Sequence, residues 1–346
     1  MITRSRLLFV LVLGLAVALT FLKVPLASSQ GVTLVATQVT GDLPVADPDS
    51  TLWGKSSAIF VPLSAQAVAK PMQLDAKVKS VTARALYNGS QLAILVEWAD
   101  DTQDDAMVRI QDFRDAVAVQ FPLAEGQPFF CMGQQGSNVN IWHWKADWQA
   151  DIAARRDMET LYPNMYVDQY PFADPSAGLA AGPATYIDSN YLPALASDNL
   201  FAVAEHLSPV EDVIAGGFGS LTAQPAEAQN VQGYGVWADG KWRVTFSRDL
   251  TSQEAEDAQF AAGKVYSIAF AAWDGANGER NGQKSTSQWV SLQFGGPAPK
   301  PAAGPAFPAP RAEAGPLAFV PAVVITLLIL GLCGAALVVF ERSQRK

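Results

Sequence analysis

The sequence predicts a mainly β protein: an antiparallel β-sandwich with a loop and short-helix insertion, followed by one C-terminal transmembrane helix. Three observations predict it. Short apolar runs alternate at period two, as strands with one buried face do. The pairs Asn88-Gly89 and Asp239-Gly240 sit between such runs, and both favour the positive backbone angles of hairpin turns. Hydrophobic residues make up 49% of the chain, and much of the excess lies in two uncharged terminal stretches.

The elements follow in order. Arg4 and Arg6 precede an uncharged run from Leu7 to Leu22 and then Pro25, Ala27, Ser28 and Ser29. That charged, apolar, small-residue order makes residues 1–29 a secretory signal cleaved near Ser29, or an uncleaved signal anchor. Residues 30–294 form the folded domain. Strands are expected at Leu34 to Val39, Ala58 to Leu63 and Ala116 to Phe121. A first hairpin joins Val81–Tyr87 to Gln91–Trp98, with Leu92, Ile94, Val96 and Trp98 pointing inward. A second carries Val236 and Trp237 into Trp242, Val244 and Phe246. Val265 to Ala271 and Ser287 to Phe294 complete the set, a pattern typical of sandwiches. From Ala150 to Ser220 there is no sustained period, so a long excursion with short helices is expected.

Residues 295–316 repeat proline and alanine, which keeps them out of a ladder and makes them a semi-rigid spacer. Residues 317–340 are uncharged and mainly apolar, about 24 in number, enough to cross a hydrocarbon core of roughly 30 Å. The tail 341–346, ERSQRK, carries three basic residues and is expected in the cytoplasm. The domain then lies on the extracytoplasmic, periplasmic face of a single-pass membrane protein.

The formal charge of −9 excludes a nucleic-acid partner, because phosphates require a basic surface. No nucleophile elbow, His-Glu-x-x-His or phosphate loop is present, so no catalytic residues are assigned. Cys131 and Cys333 are too differently placed to pair, and the domain must rest on its own core. The acidic group Asp100, Asp101, Asp104 and Asp105 offers hard oxygens for calcium, but without a regular ligand spacing a solvated turn is favoured.

The densest chemistry lies between Phe129 and Trp148, FFCMGQQGSNVNIWHWKADW. Met132, between Cys131 and Gly133, offers a thioether suited to one axial bond of a haem iron, and the glycine lets backbone approach a flat group. Trp142 and Trp144 share a strand face and could wall a slot. A methionine simply packed on aromatic rings fits the same residues. With no Cys-x-x-Cys-His, any haem is b-type and held without covalent links.

The run VNIWHWKADW, the hairpin GYGVWADGKWRVTFSRDL from Gly233 to Leu250 and the segment YSIAFAAWDGANGERNGQKSTSQWVSL from Tyr266 to Leu292 together resemble one family. It is the haem b, or gamma, subunit of type II dimethyl-sulfoxide-reductase-like molybdoenzymes, such as ethylbenzene dehydrogenase, dimethyl sulfide dehydrogenase, selenate and chlorate reductases and nitrite oxidoreductase. The likeness runs from about Ala58 to Phe294, in order. It implies one haem b per chain with a methionine and a lysine as iron ligands, which map onto Met132 and onto Lys284 in the loop after Trp273-Asp274-Gly275. Lysine binds iron only as the neutral amine, so such a pocket must depress its pKa. Lys145 is nearer to Met132 in sequence, but alternation puts it and His143 opposite Trp142 and Trp144.

The resemblance also implies a non-catalytic electron-transfer subunit, with an iron-sulfur subunit and a molybdopterin catalytic subunit as partners and a cytochrome c or other carrier outside. The membrane anchor departs from several soluble members of that family. A competing class is a haem-free binding module whose exposed tryptophans hold carbohydrate or protein on a proline stalk. Finally, LAILVEWADD and YSIAFAAWDG echo each other, as a duplication or as two strands that both end in turn residues.

Overall fold

The computed structural model describes residues 32–68, 70, 72–124, 132–164, 199–200 and 206–295. The segments expected to be the signal (1–29), transmembrane helix (317–340) and tail (341–346), all of the expected spacer but Gly295, and Cys131, lie outside them. Among the described residues no helix is long and apolar enough to cross a membrane.

Fourteen strands and two short α-helices are formed among the described residues. The strands are β1 (Thr33–Gln38), β2 (Ile59–Pro62), β3 (Ser64–Ala65), β4 (Ser80–Tyr87), β5 (Gln91–Ala99), β6 (Ala116–Pro122) and β7 (Val139–Lys145). Helices α1 (Ala146–Ala153) and α2 (Met158–Leu161) come next. Then follow β8 (Val210–Ala215), β9 (Thr222–Ala223), β10 (Gln232–Ala238), β11 (Lys241–Asp249), β12 (Val265–Trp273), β13 (Ser285–Thr286) and β14 (Val290–Phe294).

Hydrogen bonding runs in the order β10-β11-β5-β4-β1-β14-β12-β6-β7-β8-β9. Strand β12 belongs to both layers: Val265–Ile268 pair with β14, and Ala269–Trp273 pair with β6. The two layers meet face to face. Trp98 of β5 lies against Trp144 of β7 at 6.4 Å, and Trp242 of β11 against Trp144 at 4.9 Å. Both hairpins form where their turn pairs stand, with Gly89 at φ 97°, Asp239 at 54° and Gly240 at 69°. The inward set Leu92, Ile94, Val96, Trp98, Trp242, Val244 and Phe246 is buried in one core.

Two expectations need correction. The sheet is mixed, because β1 runs parallel to both β4 and β14 while every other named pair is antiparallel. An isolated apolar run shows its strand state but not its direction, which the connections decide. The other correction is β8, which lies inside the stretch expected to be an excursion. Its sequence VEDVIA puts two acids on an otherwise apolar strand, and both are buried: Glu211 pairs with Lys145 of β7, while Asp212 accepts from the side-chain amides of Asn140 and Gln224.

One of those acids, Asp212, belongs to a polar network between the layers. Arg248 of β11 pairs with Asp257 at 3.2 Å and donates to Asn140 of β7 at 3.3 Å, and Gln224 donates to Asp212 at 3.0 Å and to Asp257 at 2.9 Å. Burial, helped by the charge of Asp257, raises the Asp212 pKa to about 8, and its Oδ2 has no hydrogen-bond partner among the described residues. The folded chain therefore holds a proton that the unfolded chain releases near the ordinary carboxylate pKa. The part of stability that Asp212 contributes therefore falls as pH rises from about 4 and levels off above about 8. Asp212→Asn removes that cost, so its unfolding temperature should exceed the parent's by a margin that grows from pH 4 to pH 8. An equal margin across that range in thermal melts would show that Asp212 is ionised in the fold.

Candidate cofactor site

Above the second layer lies a cavity of about 610 Å³, within the roughly 300–1,000 Å³ of cofactor sites. Its floor is the face of β6, β7, β8 and β12 turned away from the inter-layer core. Register fixes the floor in rows: Trp273 opposite Ala116; Ala271 opposite Ala118 and then His143; Gln120 opposite Ile141 and then Val213. Small side chains at Ala116, Ala118 and Ala271 leave the hollow open, whereas the same strands turn Val117, Val119, Phe121, Trp142 and Trp144 into the core.

Two side chains enter from opposite ends. Met132 stands at the Val139 and Ala215 end, where Gly217 N donates to Met132 O at 2.8 Å. The adjacent Gly133 has φ +73°, and a Cβ there would come within 2.7 Å of Ala215 O and 2.9 Å of Ser137 O. That glycine is needed for the turn against β8, rather than for the approach to a flat group expected from the sequence.

Lys284 stands at the Trp273 end. Its loop is built by two turns: Gly278 at φ 68°, and Asn281 at φ 52° inside a tight hairpin in which Arg280 and Gln283 exchange backbone hydrogen bonds of 3.1 and 2.8 Å. Trp273 Nε1 donates to Asn281 O at 3.1 Å, and Gln66 N donates to Lys284 O at 2.9 Å. The lysine is thus directed inward, and its Nζ donates to Met132 Sδ at 3.2 Å. Both side chains are buried, Met132 at 8% and Lys284 at 5% exposure. The pair that sequence separates by 152 positions is in contact inside the cavity.

The tryptophans are placed otherwise than expected. Trp142 and Trp144 are fully buried between the layers and do not line the cavity. Trp144 packs on Gly235, where a Cβ would meet its ring at 2.4 Å, and Trp142 lies under the Arg248 guanidinium at 5.1 Å. Alternation was correct, but the cavity opens on the other face of β7. His143, set aside on that ground, lines the cavity and stacks on Trp273 at 4.7 Å. Burial, with the charges of Lys145, Arg114 and Lys284, holds its pKa well below the usual imidazole value. Its Nε2 is buried with no hydrogen-bond partner among the described residues. An unsatisfied buried polar atom costs about 1–3 kcal/mol and suits a site completed by a ligand.

Lys145 shares the strand but not the cavity. It is buried in an ion pair with Glu211, with Nζ 3.7 Å from the Trp148 ring centroid, and burial lowers its pKa to about 8. The acidic group is also rearranged. Asp100 gathers with Asp115 and Asp274, not with Asp101, Asp104 and Asp105. Burial raises Asp100 to about 6 and Asp115 to about 7. Asp100 accepts from Trp98 Nε1 and Thr102, while Asp115 accepts from Trp242 Nε1, Asp104 N and Gly275 N. These carboxylates hold turns together, including the one leading to Lys284. No tryptophan is exposed: seven are buried and two half-buried, which removes the basis for a tryptophan-surfaced binding module.

A family model described as ethylbenzene dehydrogenase matches residues 50–285, which span the floor strands and reach past Lys284. The chain belongs to the ethylbenzene dehydrogenase family. A protein of Haloferax mediterranei, named for the heme subunit of a respiratory nitrate reductase, is 24% identical over 332 residues, covering 93% of this chain and 92% of its own length. The chlorate reductase subunit gamma of Ideonella dechloratans is 26% identical over 296 residues, 82% of this chain and 95% of that one. The dimethylsulfide dehydrogenase subunit gamma of Rhodovulum sulfidophilum is 23% identical over 253 residues, 70% and 73% respectively. Among solved structures, a family 9 carbohydrate binding module of Caldicellulosiruptor kristjanssonii aligns at TM-score 0.35 and 7% identity, over 77% of this chain and 97% of that one.

Proposed function

We propose that this member of the ethylbenzene dehydrogenase family is the haem b electron-transfer subunit of a molybdoenzyme complex. The observation that carries the reading is the buried Lys284–Met132 contact inside a cavity of cofactor size. A thioether and an amine are a donor set that suits haem iron, and the residues present therefore fit the group. Three relatives bear names of heme or gamma subunits of oxidoreductases. When bound, the haem supplies one-electron redox chemistry.

The chain's own residues divide the remaining work. Met132 and Lys284 would hold the iron. Trp273 anchors the lysine loop through its indole N–H and offers a wall shared with His143. The alanine floor would leave room for the ring. In this reading the chain is a carrier that passes electrons between an iron-sulfur subunit and an outside acceptor or donor. The full chain produced with adequate haem should be red, with a sharp reduced α-band and one haem per chain by pyridine extraction. A colourless chain that also refuses added haem would overturn the reading.

We further propose that residues 1–29 direct export and that residues 317–340 anchor the domain outside the membrane. The charge and hydropathy order of those segments supports this. Protease added to intact spheroplasts should then remove the domain and leave a short membrane fragment. Full protection of the domain would reverse the orientation.

A further inference from the structure

Lys284 is rooted in backbone whose carbonyls are all held. Asn281 O accepts from Trp273 Nε1 at 3.1 Å, Gly282 O from Gln66 Nε2 at 3.1 Å, Gln283 O from Arg280 N at 3.1 Å and Lys284 O from Gln66 N at 2.9 Å. Two of these four bonds come from one residue, Gln66, which stands 216 positions before Gly282 and is 8% exposed. Just after the lysine the chain is fixed on both sides, because Ser285 lies opposite Ala65 of β3 and Ala272 of β12. The Gln66 side chain lines the cavity, where a buried amide needs partners, and it gives an N–H to the hairpin that carries Lys284. A lysine has a long flexible stem, so an amine on a loose root samples many positions. A fixed root raises the effective concentration of the amine at one point.

We propose that Gln66 is a positioning residue for the Lys284 amine: by gripping Gly282 O with its side chain and Lys284 O with its backbone, it keeps the amine where the iron of the bound haem would take it. This rests on the haem reading above and adds to it the group that holds the ligand arm. Gln66 acts through Lys284 alone. The backbone bond survives any substitution at position 66, so the side-chain bond to Gly282 O is the part that a variant can remove.

The test reads the free amine. Full-length chain, with haem and freed of it, is labelled with limiting acetic anhydride, and acetylation of Lys284 is followed by peptide mass spectrometry, since an amine bound to iron has no lone pair left to react. Haem should protect Lys284 in the parent. Gln66→Leu, which keeps an apolar stem but no donor, should cut that protection about fivefold or more, the order expected for one lost hydrogen bond, and should add a high-spin fraction to the absorbance spectrum. Ser64→Ala, which removes a bond from the same segment to Thr286 O, should protect Lys284 as the parent does. Lys145, buried in its own ion pair, reports on the fold and should label alike in all of them. Where Gln66→Leu raises Lys145 labelling as well, Gln66→Asn, whose amide stops one methylene short of Gly282 O, gives the same reading in an intact fold. Equal protection of Lys284 in the parent and the Gln66 variants overturns the proposal and leaves the ligand assignment standing. No protection in the parent overturns the ligand assignment and this proposal together.

Discussion

Lys284→Ala should convert a low-spin, six-coordinate haem into a high-spin, five-coordinate one, because it deletes the buried amine that meets Met132. Lys284→Met should restore a sixth bond of different character. Axial identity spans haem potentials over roughly 0.8 V, and exchange of an amine for a thioether should raise the potential by a sizeable share of that range. Met132→Ala should lower haem retention or leave five-coordinate iron. Absorbance, electron paramagnetic resonance and redox titration of each variant check these outcomes. A Lys284→Ala protein with an unchanged low-spin spectrum and potential would place the axial bond on another group, and His143 would be the first to examine because its buried Nε2 lies at the same cavity.

Lys145→Met should cost about 3–5 kcal/mol of stability, the usual result of stripping one partner from a buried ion pair. The arithmetic follows from placement. Lys145 is fully buried and Glu211 is 6% exposed, so the variant leaves a carboxylate inside the fold without its cation. For a domain of this size the loss should lower the unfolding temperature by about 2–4 °C per kcal/mol. Adding Glu211→Leu should recover most of it, since the orphaned charge is what costs. Haem ligation in folded Lys145→Met should be unaltered, which separates this lysine from Lys284 by spectrum as well as by stability. A melting shift within about 1 kcal/mol of the parent would mean that solvent reaches the pair.

Much of the fold was legible because its signals are local. Asn88-Gly89 and Asp239-Gly240 mark hairpins by backbone preference, and Leu92 to Trp98 alternates because one face is buried. Strand direction was not legible: nothing in Leu34 to Val39 shows that it lies parallel between β4 and β14. Nor was β8, whose Glu211 and Asp212 read as polar until Lys145 and the Arg248 network are brought beside them. The family resemblance named Met132 and Lys284, and their contact depends on side chains brought in from both ends of the floor. Periodicity separated His143 from Trp142 correctly but could not say which face of β7 carries the cavity. One sign was present in hindsight: the strands at 116–118 and 271 carry alanine on the face opposite their bulky residues, which is how a sheet makes room.

The pairing of β1 with β14, Thr33 beside Ser291, sets a condition on biosynthesis. The first strand to leave the ribosome waits for nearly the last, and Lys284 comes only six residues before β14 begins. Until then the sheet lacks the strand that joins its two halves, and the contact between Met132 and Lys284 has to wait for the residues just before it. Such long-range closure is slow and exposes apolar edges meanwhile. Chains cut short before β14 should therefore stay unfolded and, on the proposed haem reading, without haem, so that loading would wait on the strand that closes the sheet.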